Sequence, residues 1–206
     1  EGHIHHQVYS RGKAISELEI LGECPEGKTG TTITFLPDDD IFEETVYDFD
    51  ILQKRLREMA FLTKGLKITL KDIRPEKERE KIYHYEGGIK EFVQYINKSQ
   101  TPLYEDVLYF EGEKNDVFVE VAMQHNDGYN EGIYTFVNNI NTPEGGTHLE
   151  GFKRSLTRIF NDYARKNKLL KEKEDNLSGE DIREGLSAIV SVKVIDPQFE
   201  GQTKQK

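Results

Sequence analysis

Eight residues near the C-terminal end of the chain, Ala188 to Ile195 (AIVSVKVI), constrain the fold more than any other stretch. Val190, Val192 and Val194 fall on one side of a period-2 pattern that no turn residue interrupts, which predicts a buried strand. Asp196 and Pro197 then end it, because neither sustains a ladder. A glycine-bearing loop follows and carries Gln202 and Thr203 out to Lys204. A lysine delivered on a short loop after a core strand is either a chain end in solvent or a presented charge, and the loop residues alone leave both readings open.

The 206 residues suffice for one large domain or two modest ones. A hydrophobic content of 35% beside 32% charged residues predicts a globular protein with a heavily charged surface. No apolar run approaches the roughly 20 residues of a spanning helix, and Glu1-Gly2-His3 lacks the build of a signal peptide, so no membrane role is expected. The lone Cys24 allows no internal disulfide and no zinc knuckle, and points to a reducing cytoplasm. A formal net charge of −10 argues against a surface that binds nucleic acid everywhere. Because the acidic residues concentrate in LPDDDIFEE and LLKEKEDNLSGED, a local basic groove remains possible.

Along the chain, HIHHQVYSRG, KAISELEILGE and GTTITFLP predict strands joined by turns. DFDILQKRLREMAFLTKG predicts a helix, with Phe49, Leu52, Leu56 and Met59 at helical spacing between an Asp48 N-cap and a Gly65 C-cap. LKITLKDIRP and KIYHYEGG read as a hairpin. Gly87-Gly88 marks a boundary before a second helix, IKEFVQYINKS. VLYFEGEKND, VFVEVAMQHND and GIYTFVNNI predict an antiparallel meander. The longest helix, THLEGFKRSLTRIFNDYARKNKLL, precedes a short one capped by Ser178, with Lys171 to Asn176 as a solvated, mobile stretch between them.

Three clusters carry more than one reading. In the His3, His5, His6 cluster, His3 and His5 share one face of a strand and suggest a metal site, but no third ligand of fixed spacing accompanies that pair, and strand-terminal residues explain the cluster as well. GGTHLEG presents either backbone amides to an anion or a tight turn at a helix start. On the long helix, Leu149, Phe152, Leu156, Ile159, Phe160 and Tyr163 form an apolar face, with Arg154, Arg158 and Arg165 nearly opposite. That stripe is a solvated face or the footprint of a polyanion.

Taken in order, GTTITFLPD, YHYEGGIKEFVQYIN, NNINTPEGGTHLEGFKRSLTRIFNDY, EDIREGLSAIVSVKV and DPQFEGQTK resemble the B subunit of bacterial DNA gyrase, with its topoisomerase IV counterpart a close second. The resemblance runs essentially end to end. It implies an α+β fold in which residues 1–86 are the C-terminal part of a GHKL ATP-binding sandwich and residues 87–206 a transducer domain of ribosomal S5 domain 2-like fold. It implies an ATP-hydrolysing type IIA topoisomerase that couples ATP to DNA strand passage and negative supercoiling. Its cofactors would be ATP and Mg²⁺, and its partners DNA, the gyrase A subunit and a second copy of the ATPase region. By the same resemblance Lys204 contacts the γ-phosphate, Gln202 positions that phosphate and the attacking water, and Thr31 lies near the adenine unless it is only a strand-edge threonine. Arg154, Arg158 and Arg165 would line the cavity that DNA traverses. No Glu-x-x-x-Asn helix, Asp-x-Gly-x-Gly turn or glycine-rich lid occurs in the chain, so the general base and the Mg²⁺ ligands are expected outside it, and the chain alone is expected to be inactive. The alternative is a non-catalytic module of S5-like fold that binds nucleic acid or a partner; a mismatch-repair or chaperone relative fits QTK and REGL poorly.

Overall fold

The computed structural model describes residues 2–206, which divide into a first unit ending at Asp48 and a second unit, Phe49–Lys206. In the first, β1 (His3–His6) and β4 (Glu19–Glu23) pair antiparallel, as do β2 (Tyr9–Ser10) and β3 (Lys13–Ala14). Arg11 and Gly12 turn the small hairpin with positive φ at both positions, the geometry that suits a two-residue loop. From that turn the Arg11 guanidinium reaches Asp38 and Asp40, both at 2.5 Å. The strand expected over GTTITFLP does not form. Its alternation is present, but no described strand lies alongside to complete a ladder, and Ile33, Phe35 and Leu36 are 81%, 69% and 92% exposed.

The second unit starts with α1 (Phe49–Leu62), whose Phe49, Ala60, Phe61 and Leu62 are buried. Gly65, at φ +79°, turns the chain after the helix into β5 (Lys67–Asp72) and β6 (Arg79–His84), the expected hairpin. Helix α2 (Ile89–Ile96) follows, then β7 (Leu108–Lys114), β8 (Val117–His125), β9 (Gly132–Val137), β10 (Ile140–Asn141), α3 (Thr147–Lys166), α4 (Gly179–Arg183) and β11 (Leu186–Val194). Asn115-Asp116 and Asn138-Asn139 make the two tight hairpin turns, all four residues having positive φ.

Five strands form one sheet in the order β10-β9-β11-β8-β7. The predicted meander is therefore interrupted: β7 and β8 pair as expected, but β11 inserts between β8 and β9, antiparallel to the first and parallel to the second. Burial explains this placement. Strand β11 is buried on both faces from Leu186 to Val192, with Leu186, Ala188, Val190 and Val192 on one and Ile189 between two serines on the other, a placement that only the centre of the sheet provides. A parallel β9/β11 pair needs a long crossover, and α3 with α4 supplies it. Gly185 makes the return possible. At φ +67°, it passes so close to the β8–β9 loop that a Cβ would lie 2.4 Å from the Asn126 carbonyl oxygen.

Ile189 on β11 and Ala122 on β8 face a core built from Phe61, Leu62, Ile89, Phe92 and Val93, so α1 and α2 cover one side of the sheet. Met123, Leu186 and Ala188 face Leu156 and Ile182, so α3 and α4 cover the other. Phe61 holds the first layer together, stacking on Tyr85 at 3.7 Å and Phe92 at 4.7 Å between ring centroids. Arg55 donates to the Asn139 carbonyl at 2.9 Å and ties α1 to the β9–β10 turn. A buried polar cluster fixes the register below α2: Asn97 accepts from Ser187 at 2.6 Å and Asn126 at 3.1 Å, and donates to Gln124 at 3.0 Å. Ser178 caps α4 in a reciprocal capping box with Asp181, as its sequence suggests.

Helix α3 departs from the expected apolar face. Leu156 is buried and Phe152 packs against it, but Ile159 and Tyr163 are 57% and 62% exposed, while Asn161 and Ala164 are buried. The second half of the helix is covered by the segment before α4, whose Leu177 backbone is gripped on both sides by the Asn161 amide, at 2.8 and 3.0 Å. Burial thus follows the side that this loop occupies.

Candidate functional site

Beyond Val194 the chain leaves the sheet and returns over it. Phe199 and Pro197 border a cavity of about 900 Å³ whose floor is Val117, Val119, Val121, Val190, Val192 and Val194, with the start of α3 along its edge. Residues 200–206 then close into a loop. At its base the Glu200 N–H donates to the Lys206 carbonyl at 2.7 Å, and the two side chains pair at 3.2 Å. One further bond anchors the base to the body of the unit: Glu144 N–H donates to the Gln205 carbonyl at 3.0 Å.

Gln202 and Lys204 stand exposed at the tip, free of ion pairs and side-chain hydrogen bonds among the described residues. Lys204 has φ +56°, a left-handed conformation that costs a non-glycine residue about 1 kcal/mol or more. Its Nζ lies 5.6 Å from the Phe199 ring centroid, close enough for a weak cation–π contact. The tip of the loop therefore presents the Lys204 ammonium and the Gln202 carboxamide to solvent on a closed, tethered backbone. Chemically such a pair suits an anion with several oxygens, the lysine as a point charge and the amide as a neutral hydrogen-bond donor.

Glu144 belongs to the turn that begins α3. Gly145, at φ +78°, and Gly146 start the helix, so GGTHLEG serves as a helix start. Behind it, Thr142 bonds to Thr135 at 2.9 Å and to His148 Nε2 at 3.1 Å. Burial pushes the His148 imidazole below its ordinary value, which favours its neutral form. The base of the loop is thus tied, through the Glu144 backbone, to a turn backed by the hydrogen-bonded Thr135, Thr142 and His148 side chains.

The predicted arginine stripe divides. Arg154 and Arg158 line a groove of about 680 Å³ with Lys153, Thr157 and Arg183, and neither makes an ion pair among the described residues. Lys153 and Arg183 both pair with Glu131, at 2.5 and 2.7 Å, so that one carboxylate is shared between two cations. Burial alone would raise the Glu131 carboxyl, but the hydrogen bonds from these two cations outweigh it and hold the group below its usual value. Arg165 is engaged inside the fold. Its guanidinium donates to Asn176 Oδ1 and to the Lys171 and Glu174 carbonyls, and so organises the stretch expected to be mobile.

Thr31 lies exposed in the ladder-free segment of the first unit. Among the described residues, Asp38, Asp39 and Asp40 are the one group of potential metal ligands that comes together. Arg11 pairs with two of these three carboxylates, so the cluster is a poor fit for Mg²⁺. The residues that sequence reasoning missed are the clasp, Glu200, Lys206 and Glu144, and the Glu131 bridge; none has a periodic or motif-like spacing that would reveal it.

A sequence profile described as DNA gyrase B matches residues 88–206. The DNA gyrase B subunit of Streptococcus pneumoniae serotype 4 is 55% identical over 206 residues, and that of Clostridium acetobutylicum 56% identical over 207; each match takes in all of this chain and 32% of the relative. The chain thus spans about a third of the length of these curated relatives. Among solved structures, the 43K ATPase domain of Thermus thermophilus gyrase B, determined in complex with an aminocoumarin, superposes with a TM-score of 0.84 at 42% identity, over 98% of this chain and 54% of that one. The topoisomerase IV ATP-binding domain of Francisella tularensis gives 0.79 at 27% identity, over 100% of this chain and 55% of that one. With a matching profile over more than half its residues and relatives aligned along its entire length, the chain belongs to the DNA gyrase B family, as part of the ATPase region.

Proposed function

We propose that the chain works within an ATP-driven type IIA topoisomerase, where the 200–206 loop acts on the phosphate end of bound ATP and passes that state to the second unit. The observation that carries this reading is the tethered loop with Lys204 held in a left-handed conformation and Gln202 beside it. Lys204 supplies positive charge to a transferring phosphoryl group, and Gln202 orients that group or the attacking water. Mg²⁺, when bound, would neutralise phosphate charge; its ligands and the general base lie outside this chain, since the acidic cluster at 38–40 is already paired. Thr31 is assigned to the adenine side of the site on resemblance alone.

Residues 1–86 are proposed as part of the ATP-binding domain and 87–206 as the transducer. The profile match beginning at Gly88 supports this boundary. The compact division falls earlier, at Asp48, because α1 and the β5–β6 hairpin pack on α2 through Phe61. Partners are proposed as the gyrase A subunit, a second ATPase region and DNA, in the cytoplasm, with supercoiling favoured over the decatenation of the topoisomerase IV paralogue. No helix among the described residues is long and apolar enough to cross a membrane.

Purified residues 1–206 are expected to show no ATP turnover above background and only weak nucleotide binding by calorimetry, since a lysine and a glutamine without base, metal or lid lack most of the phosphate contacts. Robust turnover by this chain would sink the proposal. For DNA, Arg154 and Arg158 are the proposed contacts, being the cations of the groove without ion-pair partners. In the intact enzyme, replacing both with glutamine is expected to weaken DNA stimulation of ATP turnover and to flatten its log–log salt dependence by up to about 2, roughly 0.9 for each phosphate no longer neutralised. An unchanged salt slope would leave the pair as a solvated helix face.

A further inference from the structure

The loop that presents Lys204 is closed by Glu200 and Lys206, which stand on either side of Gly201-Gln202-Thr203-Lys204-Gln205 and are joined by backbone and side chain at once. We infer that Glu200 is a positioning residue, whose ion pair with Lys206 holds the loop in the conformation that aims Lys204. The inference rests on the phosphate-facing reading of Lys204.

Three observations support it. Lys204 adopts a strained left-handed backbone conformation, which persists only where surrounding contacts impose it. Within the loop, its N–H reaches the Gly201 carbonyl at 3.4 Å, too long to impose the conformation alone. The closing contacts are shorter: 2.7 Å from the Glu200 N–H to the Lys206 carbonyl, 3.2 Å between the two side chains, and 3.0 Å from Glu144 N–H to the Gln205 carbonyl. The last ties the clasp to the start of α3, so the loop moves with that helix start rather than freely in solvent. Charge matters to the arrangement as well as geometry. Glu200 neutralises Lys206 two residues from Lys204, leaving Lys204 as the loop's unpaired cation; without Glu200, a second ammonium would compete for the same phosphate oxygens or repel the first.

An exposed pair of this kind is worth a modest amount, so the effect should be small and specific. In the full-length protein assembled with its partner, Glu200→Gln is expected to lower kcat for ATP about threefold, and Glu200→Lys further, with nucleotide affinity nearly unchanged. The reciprocal double variant, Glu200→Lys with Lys206→Glu, should recover most of kcat because it restores the pair with its charges reversed. A loss of folding stability alone would lower the unfolding midpoint and the amount of active enzyme, but leave kcat per active site unchanged. If Glu200→Lys turns over like the parent, or the double variant is no better than the single, the clasp has no positioning role. A Lys204→Ala control separates the two levels: a large kcat loss there with an unaffected Glu200→Lys overturns the clasp alone, whereas parent-like turnover by Lys204→Ala overturns the reading of the loop and the clasp with it.

Discussion

Replacing Lys204 by alanine in the intact enzyme is expected to reduce ATP turnover about 100-fold or more, while the dissociation constant for nucleotide rises only a few-fold. The asymmetry follows from where the charge is needed. In the ground state the phosphates are already held by contacts that, on the proposed reading, lie elsewhere, so losing one exposed ammonium costs little binding. As the phosphoryl group transfers, charge redistributes over its oxygens, and a fixed cation there acts on the transition state; removing one such group costs about 3–4 kcal/mol in comparable sites. Lys204→Arg should recover part of the rate, because a planar guanidinium keeps the charge but not its compact placement. Single-turnover measurements with a separate binding titration distinguish the outcomes. Equal losses in binding and turnover would make Lys204 a ground-state contact, and no loss would remove it from the site.

The second large effect concerns stability. Phe61→Ala is expected to destabilise the second unit by about 3–5 kcal/mol, seen as a lower urea midpoint. Phe61 is 1% exposed and lies against Tyr85, Phe92 and Tyr95, so truncation leaves a cavity walled by rings from α2 and the end of the hairpin. Those rings are anchored by other contacts: Tyr95 carries Arg57 over its face at 4.9 Å, and Phe92 sits in the core beside Phe136. They cannot collapse far into the gap, which places the cost toward the upper end. Against a total of about 5–15 kcal/mol for a domain, this is a large fraction. Hydrogen exchange adds a spatial test: α1 and the β5–β6 hairpin should lose protection first, since Phe61 is their main link to the sheet layer. A change below about 1 kcal/mol would mean that α1 does not share the core of residues 87–206.

Local pattern carried much of this protein in legible form. The period-2 run at 188–195 located β11, helical spacing located α1 and α2, the Ser178 cap located α4, and the Asn-Asp pair at 115–116 separated β7 from β8, because each depends on residues within a few positions of one another. The ordered motifs ending in QTK identified the family in the same way. Position in the fold was another matter. That β11 splits the expected meander was decided by partners such as Asn97 and Ser187, 90 residues apart, and by a glycine that lets two backbones pass. The buried side of α3 was decided by the Asn161 amide gripping the Leu177 backbone, the fate of Arg165 by three acceptors in a loop, and the closure of the 200–206 loop by Glu200, Lys206 and Glu144. Periodicity states that a helix or strand has a face to bury. Only the contacts between distant residues determine what buries it, and which charges remain free afterwards.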